Sequence, residues 1–417
     1  MSTSTQPLTA NLRSVAGSGS RAGVGYADMS DSRTAGAEAA RTALDGAGGR
    51  ADLVLLYATS RHDPDLLIEG VRSVVGPAAR LIGGSSVGSI TNDRLGYEGF
   101  QVGVAVLASR TMQVDMFVEG GLDTRGEQAV GEALGRKVAA AAYRGDPNLV
   151  LMYDSVKKPQ TELNVATTLL RGMAQHLSPW PRMAGLGMFG SLQMNAVTQW
   201  FDDTVISQSA MALVLSGGVQ MDTIILHGCR PASRYITITK SEGARVLEIE
   251  GQTAVDFIRG LVPDKQWEEW PLFITLGVNR GDKFGEFREE DYSNHLCMAI
   301  DKERGALVMF EPNLTPGTEV QLMRRSIDFD YIDRRIDVVF SQVAGRRPFF
   351  ALYIDCAGRA AAFCGADREE AEEVQRSLTR RGVPLLGMFS GVEIAKVGGS
   401  PQGLDWTGVL CVLSETE

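Results

Sequence analysis

The 417-residue sequence has few cysteines, few histidines and no long apolar run. No apolar stretch approaches the about 20 residues that a membrane-spanning helix requires. Residues 1–25 lack the basic start and apolar middle of a secretory signal, and we predict that they form a disordered tail. The five cysteines, an odd number in the second half of the chain, indicate reduced thiols: Cys229, Cys297, Cys356, Cys364 and Cys411. We therefore expect a cytoplasmic protein with no membrane partner.

The sequence also lacks an excess of positive charge. Its 41 lysines and arginines against 51 acids give a net charge of −10. Because nonspecific nucleic-acid binding needs a concentrated positive face, we expect no nucleic-acid partner. Acidic residues surround most of the arginine pairs, which favours a solvated helix surface for them. The pairs are Arg324-Arg325, Arg334-Arg335, Arg346-Arg347 and Arg380-Arg381.

What the sequence does contain is an internal repeat with the order αβαββ, found three times. The first copy is predicted as a helix over 34–44, a strand over 53–58, a helix over 65–75 and strands over 80–84 and 102–107. The second has helices over 127–143 and 161–176 and strands over 149–153, 182–187 and 210–215. The third has helices over 319–343 and 367–381 and strands over 350–354, 384–388 and 407–413.

The predicted strands are short, uninterrupted apolar runs bounded by glycine or aspartate, as in sheets that are covered on both faces. The segments between them have helical spacing. The fold class that follows is α/β, with repeated αβαββ units forming layered sheets covered by helices. A glycine-rich turn follows the fourth element of each copy, where the backbone must pass close to a neighbour or a ligand. These turns are candidate walls of a site, although the neighbouring Met188, Phe189, Met388 and Phe389 are better interpreted as core.

A different region separates copies two and three. It starts with a strand over 222–227 and a hairpin that joins strands 235–239 and 246–250 through Ser241-Glu-Gly243, followed by a helix over 253–261. The hairpin ends at the Gly251-Gln252 step, and a connection over 263–271 comes next. We therefore predict two domains, 26–250 and 251–417.

Short motifs in this order resemble the FIST family of paired sensory domains in bacterial signalling proteins and some eukaryotic F-box proteins. The first domain, which resembles FIST N, contains Gly83-Gly-Ser-Ser-Val-Gly-Ser-Ile90, Gly228-Cys-Arg-Pro231 and the segment from Thr237 to Gly251. The second, which resembles FIST C, contains Cys356-Ala-Gly-Arg359 and Leu386-Gly-Met-Phe-Ser-Gly-Val-Glu-Ile394. Gly358-Arg-Ala360 departs from the usual Gly-Arg-Gly, and Val392-Glu-Ile394 replaces a Gly-acidic-Ile pattern. The resemblance implies recognition of a small molecule, with amino acids proposed as ligands and haem with nitric-oxide sensing in one branch, and no shared catalytic set.

Two motifs suggest enzymes but lack the context that those enzymes need. Gly84-Ser-Ser-Val-Gly88 matches the nucleophile elbow, yet the following residues do not have a helical pattern. Gly185-Leu-Gly-Met-Phe-Gly190 matches the dinucleotide fingerprint, yet no clear helix follows it. Both occupy the repeated turn, so the repeat explains them.

The histidines are candidate haem or metal ligands. His62 follows a strand at the edge where α/β sheets bind ligands. His227 and His295 each begin a His-x-Cys pair, and the two pairs could together hold zinc if their strands met. The alternative for each of these three histidines is a purely structural position with no ligand to bind. His176, at the end of a predicted helix, is interpreted as a capping residue.

Six residues are candidate ligand-binding groups. Ser85 and Ser86 would donate hydrogen bonds to the ligand, Arg230 or Arg359 would neutralise an anionic group, and Glu393 would meet a positive one. Cys356 would contact the ligand or react, since a nearby Arg359 would favour its thiolate. A small buried apolar residue is the alternative for this cysteine.

The sequence therefore predicts a sensory protein without an obvious reaction, in which the glycine-rich turns and the Cys356–Arg359 loop border a cleft for a small polar ligand. The repeats and the intervening region use nearly the whole length, so we expect the output to pass through a separate signalling partner. The alternatives are a haem protein that senses nitric oxide or another diatomic gas, and an enzyme of unknown reaction.

Overall fold

The computed structural model describes residues 19–262, 270–271, 273–326 and 328–416. Within them, three copies of one α/β unit, called units 1, 2 and 3, each form most of a six-stranded sheet. Unit 1 contains β1 (Arg21–Asp28), α1 (Ser32–Gly46), β2 (Leu53–Ala58), α2 (Pro64–Val75), β3 (Arg80–Ser85), the hairpin β4 (Gly88–Thr91) and β5 (Leu95–Tyr97), and β6 (Gln101–Ala108).

Unit 2 repeats this order with one additional short strand pair. It contains β7 (Met112–Gly120), α3 (Glu127–Ala140), β8 (Asn148–Asp154), the pair β9 (Val156–Lys158) and β10 (Glu162–Leu163), α4 (Ala166–Met173), β11 (Arg182–Met188), the hairpin β12 (Gln199–Phe201) and β13 (Thr204–Ile206), and β14 (Ser209–Gly217).

Unit 3 begins with β15 (Val219–Leu226) and is then interrupted by an inserted sheet. The insert contains β16 (Cys229–Pro231), β17 (Ile236–Glu242), β18 (Arg245–Ile249), β19 (Gln252–Thr253), α5 (Ala254–Leu261), β20 (Thr275–Asn279), β21 (Tyr292–Asp301), β22 (Ala306–Met309) and β23 (Glu319–Arg325). The strand order is β23-β17-β18-β22-β21-β20, and β20 also pairs with β23. The insert therefore closes into a ring of strands around its own apolar core, which includes Trp270.

After the insert, the chain completes unit 3. The remaining elements are α6 (Tyr331–Val343), β24 (Arg347–Cys356), α7 (Ala361–Cys364), α8 (Ala371–Arg380), β25 (Leu385–Ser390), the hairpin β26 (Val392–Val397) and β27 (Ser400–Leu404), and β28 (Gly408–Glu415).

The three units exchange their hairpins in a circle. The sheet of unit 1 ends with the hairpin of unit 2, the sheet of unit 2 with that of unit 3, and the sheet of unit 3 with that of unit 1: β1-β6-β2-β3-β12-β13, β7-β14-β8-β11-β26-β27 and β15-β28-β24-β25-β4-β5. Each hairpin pairs antiparallel with the third strand of its host unit. The units therefore share their sheets, and none of the three sheets is complete without another unit.

The repeated glycine of the third strand explains how these sheets pack. A Cβ on Gly83 would lie 1.8 Å from the carbonyl oxygen of Leu56 on the neighbouring strand, and one on Gly185 would lie 2.6 Å from that of Leu151. At Gly387 the carbonyl of Tyr353 would be 3.0 Å away. Close approach of a neighbouring strand, rather than of a ligand, accounts for glycine here.

Glycine also lets the helix pairs approach closely. In unit 1 a Cβ on Gly70 would lie 2.1 Å from the carbonyl oxygen of Arg33, and in unit 2 one on Gly131 would lie 2.1 Å from that of Leu169. Such contacts bring α1 against α2 and α3 against α4 on the outer face of their sheets. None of the described helices is both long and apolar enough to cross a membrane.

The predicted α/β fold class and its repeats are confirmed, with corrections. The segment predicted as one helix over 319–343 is a strand, β23, followed by α6 from Tyr331, and the helix predicted over 161–176 spans only Ala166–Met173. Residues 21–25, assigned to the tail, belong to β1. The first strand of units 1 and 2 and all three exchanged hairpins were not predicted. The predicted domain division at 250/251 stays a prediction; it falls between β18 and β19 of the insert, and most of the connection over 263–271 lies outside the described residues.

Candidate functional site

A large cavity lies where unit 3 meets the inserted sheet and the loop after β11 of unit 2. Its volume is about 970 Å³, within the range of small-molecule sites. The insert supplies Leu296, Met298 and Leu322, and unit 2 supplies Phe189 and Met194. Unit 3 supplies the loops at 356–358, 363–368 and 390–391 and the ring of Trp406. Our interpretation of Phe189 as core is therefore incomplete, because it also borders this cavity, whereas Met188, Met388 and Phe389 are fully buried.

The floor of the cavity is formed where β24 and β25 end side by side. Cys356 and Ser390 are opposite each other in this parallel pair, and both line the cavity. The Ser390 hydroxyl lies 2.7 Å from Oε1 of Glu393 and 3.1 Å from the carbonyl oxygen of Asp355. Glu393 is fully buried behind Ser390 and does not line the cavity. A ligand in this cavity would therefore lack the direct contact with Glu393 that we predicted for a positively charged ligand group.

Burial controls the ionisation of this floor. It raises the pKa of the Cys356 thiol well above its usual range, and the nearby Glu393 raises it further. Burial also raises the pKa of Glu393 well above its usual range, although the hydrogen bond from Ser390 opposes this. The expectation that Arg359 favours a Cys356 thiolate is therefore wrong, because desolvation dominates. Cys356 is a neutral, cavity-lining thiol.

Arg359 lies beside the cavity and is fully buried. Its guanidinium pairs with Asp355 (Nε to Oδ1, 3.2 Å) and Glu370 (Nη2 to Oε1, 2.7 Å), and it donates to the backbone oxygens of Leu226 and Trp406. Burial alone would lower the pKa of Arg359, but the Glu370 and Asp355 charges outweigh it and the pKa is raised. Burial raises the pKa of Asp355 to about 6 despite the Arg359 charge. The predicted role of Arg359 in neutralising a ligand is not supported, because protein groups already occupy its guanidinium.

Arg325, which sequence reasoning missed, connects this cluster to the cavity. Its Nη2 lies 2.7 Å from Oε2 of Glu370, and its guanidinium stacks over the Trp406 ring at 5.0 Å. Trp406 has a φ of 55°, which is rare for a bulky residue. Tyr331, at the start of α6, also hydrogen-bonds Glu370. The Arg324-Arg325 pair was visible in the sequence, but we assigned it to a helix surface.

Two predicted ligand groups, Ser85 and Ser86, lie away from this cavity at the end of β3. The Ser85 hydroxyl accepts from the backbone N–H of Thr198 at 2.9 Å and lies 3.2 Å from the Thr198 carbonyl, so it fixes the chain leading into β12. Ser86 is buried, and its Oγ has no hydrogen-bond partner among the described residues. A strand, β4, follows the serines in place of the helix of a nucleophile elbow.

Arg230 is exposed on β16, pairs in register with Arg324 and stacks on Phe287 at 5.1 Å. It does not line the cavity. The structure thus brings together three of the six predicted ligand groups, Cys356, Arg359 and Glu393, and leaves Ser85, Ser86 and Arg230 elsewhere.

The candidate haem-ligating histidines have structural partners. His62 contacts the Ser32 hydroxyl (3.1 Å) and the Phe100 carbonyl (3.0 Å) through its two ring nitrogens. His227 accepts from the backbone N–H of Cys229 at Nδ1 (2.9 Å) and lies 3.1 Å from the Glu289 carbonyl at Nε2. His295 is buried beside Ser293, and burial, aided by Arg280, lowers its pKa to about 3.

None of these three histidines lines the cavity, so they do not fit a haem placed there. Within the described ranges, no group of three or more His, Cys, Asp or Glu residues is arranged to hold a metal ion. The His-x-Cys pairs are therefore explained by strand hydrogen bonding and core packing.

The fold is that of an α/β protein built from three units that share their sheets, with one inserted sheet. The chain belongs to the FIST family, because the FIST N domain model matches residues 52–252 and the FIST C domain model matches residues 254–396. FIST domains are sensory domains, which associates this chain with signal transduction.

Known relatives add little on function. Two uncharacterized proteins of Mycobacterium tuberculosis, from strains CDC 1551 and H37Rv, are each 26% identical over 400 residues, covering 91% of this chain and 96% of theirs. Among solved structures, a cyanuric acid hydrolase from A. caulinodans matches with a TM-score of 0.26 and 9% identity, over 48% of this chain and 72% of that chain. PurLQS from Thermotoga maritima matches with a TM-score of 0.23 and 10% identity, over 95% and 73%. Scores this low support no inference about fold or function.

Proposed function

We propose that this FIST protein is a cytoplasmic sensor that binds a small, largely apolar ligand in the cavity of about 970 Å³ and acts on a separate signalling partner. The observation that carries the proposal is the cavity itself. Apolar side chains make up most of its wall, and the polar groups are few, among them those of Arg324, Arg325 and Ser390. This is the usual composition of a small-molecule site.

The position of the cavity offers a way to transmit binding. Its wall combines unit 2, unit 3 and the insert, so a ligand contacts all three at once. A ligand changes the signalling state only if it prefers one arrangement of these parts over another. Arg325, Glu370 and Tyr331 connect the cavity wall to the start of α6, which is one route for such a preference.

The alternatives that the sequence left open receive less support. The three candidate haem-ligating histidines have internal partners and lie off the cavity wall. A hydrolase mechanism at Ser86 finds no base within hydrogen-bond distance among the described residues. Ligand binding is therefore the function that the site supports best.

A thermal-shift screen of small apolar molecules, followed by cavity-blocking variants, tests the proposal. Ala366→Trp places a large ring on a half-buried lining position and should abolish the ligand-induced shift. Ala362→Trp is the matched control, because Ala362 is an exposed alanine four residues earlier that does not line the cavity. Equal ligand responses in both variants would contradict binding in this cavity.

A further inference from the structure

We propose that the ligand is an amphipathic anion, an apolar chain or ring system with one carboxylate or phosphate group held by Arg325 and Arg324. This inference rests on the proposed function above and adds the chemical class of the ligand. Three features carry it: the composition of the wall, the sign of the charges on it, and the orientation of Arg325.

The wall fits an apolar body better than a free amino acid. Aliphatic and aromatic side chains such as Leu296, Met298, Phe310 and Phe363 surround most of the volume. An α-ammonium group bound there would need an acceptor, because a buried charge without a partner is strongly unfavourable. Among the described lining residues, the one carboxylate is that of Asp367, which is exposed at the rim. A zwitterion therefore lacks a counter-charge for its cationic end.

The charges on the wall are mostly positive. The described lining residues include three arginines, Arg324, Arg325 and Arg368, against the single acid Asp367. Arg368 contacts Glu373 and is partly neutralised. Arg324 makes no ion pair with any residue that the structure describes, and it follows Met323 at the end of β23, next to Arg325. Positive charge is thus available at one end of the cavity.

Arg325 is held in position to receive an anion. The Trp406 ring under its guanidinium and the Glu370 carboxylate at Nη2 fix its plane. A guanidinium has five N–H donors in a planar fork, so one carboxylate oxygen leaves others for a ligand. Glu370 is shared with Arg359, and Asp355, the other acid of this cluster, does not line the cavity. Among the described residues, Glu370 is the acid that pairs with Arg325, and it does not line the cavity, so the cavity side of Arg325 is open to an anion.

Calorimetric titration with matched probes tests the class. Hexanoate, decanoate and tetradecanoate give the chain length, and at the best length the carboxylate is compared with the alcohol, the primary amine and the alkyl phosphate. We expect the anions to bind about ten- to a hundredfold more tightly than the alcohol, as a charge-assisted hydrogen bond provides, and the amine to bind most weakly. The carboxylate-to-phosphate ratio distinguishes the two sources of the anionic group.

Variants locate the charged group. Arg325→Gln and Arg324→Gln should each reduce the preference for the anion over the alcohol, whereas Arg230→Gln should leave it unchanged. Arg230 is a matched control because it is an exposed arginine opposite Arg324 in the strand pairing and lies off the cavity wall. If R325Q does not fold, as judged by circular dichroism, R324Q carries the test.

The outcomes separate this inference from the proposed function. Equal binding of alcohol and carboxylate, blocked by Ala366→Trp, would overturn the anionic class while leaving the cavity as the site. Failure of every probe to bind would contradict the cavity as a ligand site and this inference with it.

Discussion

Glu370 and Arg359 form an ion pair of 2.7 Å between Oε1 and Nη2, with 2% and 0% of their side chains exposed. The second oxygen of Glu370 pairs with Arg325 on the cavity wall, also at 2.7 Å. One carboxylate thus joins the buried Arg359 to the wall of the candidate ligand site.

Glu370→Gln should destabilise the protein strongly. Removing one partner of a buried ion pair leaves the other charge uncompensated, so we expect a loss of about 3–5 kcal/mol in the free energy of unfolding. Urea unfolding followed by circular dichroism measures it. Glu372→Gln is the control, since Glu372 lies exposed in the first turn of the same helix, α8. A loss no larger than that of the control would show that the pair is not structurally important.

A second acid, Glu311, connects the insert to unit 2. Its carboxylate accepts from the backbone N–H groups of Ala166 (2.7 Å) and Thr167 (3.1 Å) at the start of α4. Val165, the preceding residue, provides no side-chain cap. Glu311→Ala should therefore cost about 1–2 kcal/mol or more, as loss of a helix cap does. The control, Glu303→Ala, changes an exposed acid of the same sheet region and should be nearly neutral in the same unfolding assay.

His295 should make stability depend on pH. Burial lowers its pKa from 6.5 to about 3 in the folded state, so the unfolded chain binds the proton more readily. The stability that the neutral imidazole contributes is present above pH 6.5 and is lost as the pH falls toward 3, at about 1.4 kcal/mol per pH unit. His295→Gln should flatten this part of the curve of unfolding free energy against pH. An equal slope in wild type and H295Q would contradict the assignment.

A haem titration gives an independent check on the histidines. Because His62 and His227 use both ring nitrogens in internal contacts and His295 is buried, we expect no stoichiometric Soret band that depends on any of them. Absorption spectra of wild type and of the three single His→Ala variants, with and without added haem, measure this. A Soret band lost in one variant would support the gas-sensor alternative and name its axial ligand.

Much of the fold could be predicted because each unit repeats the same pattern of apolar and polar residues. Apolar runs such as Leu53–Ala58 have a covered strand as their natural conformation, and helical spacing between them indicates crossover helices. The exchanged hairpins could not be predicted in the same way. Gly88–Thr91, for example, pairs with the nearby β5 on one side and with β25, almost 300 residues later, on the other, and this second pairing cannot be predicted from local sequence.

The site was harder to predict than the fold. Cys356 could be found because it ends a strand at the edge where α/β sheets bind ligands, and it does line the cavity. Arg325 was missed because continuous helical spacing was read through 319–343, although Val320 and Leu322 also fit the alternation of a strand. Ser85 was chosen for its chemistry, but its hydrogen-bond partner, Thr198, comes from a distant segment that sequence spacing does not indicate. Arg359 was also chosen for its chemistry, and its acid partners are near in sequence, but only the fold shows that Asp355 and Glu370 occupy its guanidinium.

Binding in this cavity is tested most directly by whether a bound ligand protects Cys364 from alkylation. Cys364 lines the cavity and is half-buried, whereas Cys229, Cys297 and Cys411 are buried away from the cavity and serve as internal references. The measurement is the rate of Cys364 alkylation by iodoacetamide, followed by peptide mass spectrometry, at increasing decanoate concentration. We expect the rate to fall to a plateau with a midpoint equal to the calorimetric Kd, and Ala366→Trp to remove the effect. Calorimetric binding of decanoate with an unchanged rate of Cys364 alkylation would place the ligand elsewhere and contradict binding in this cavity.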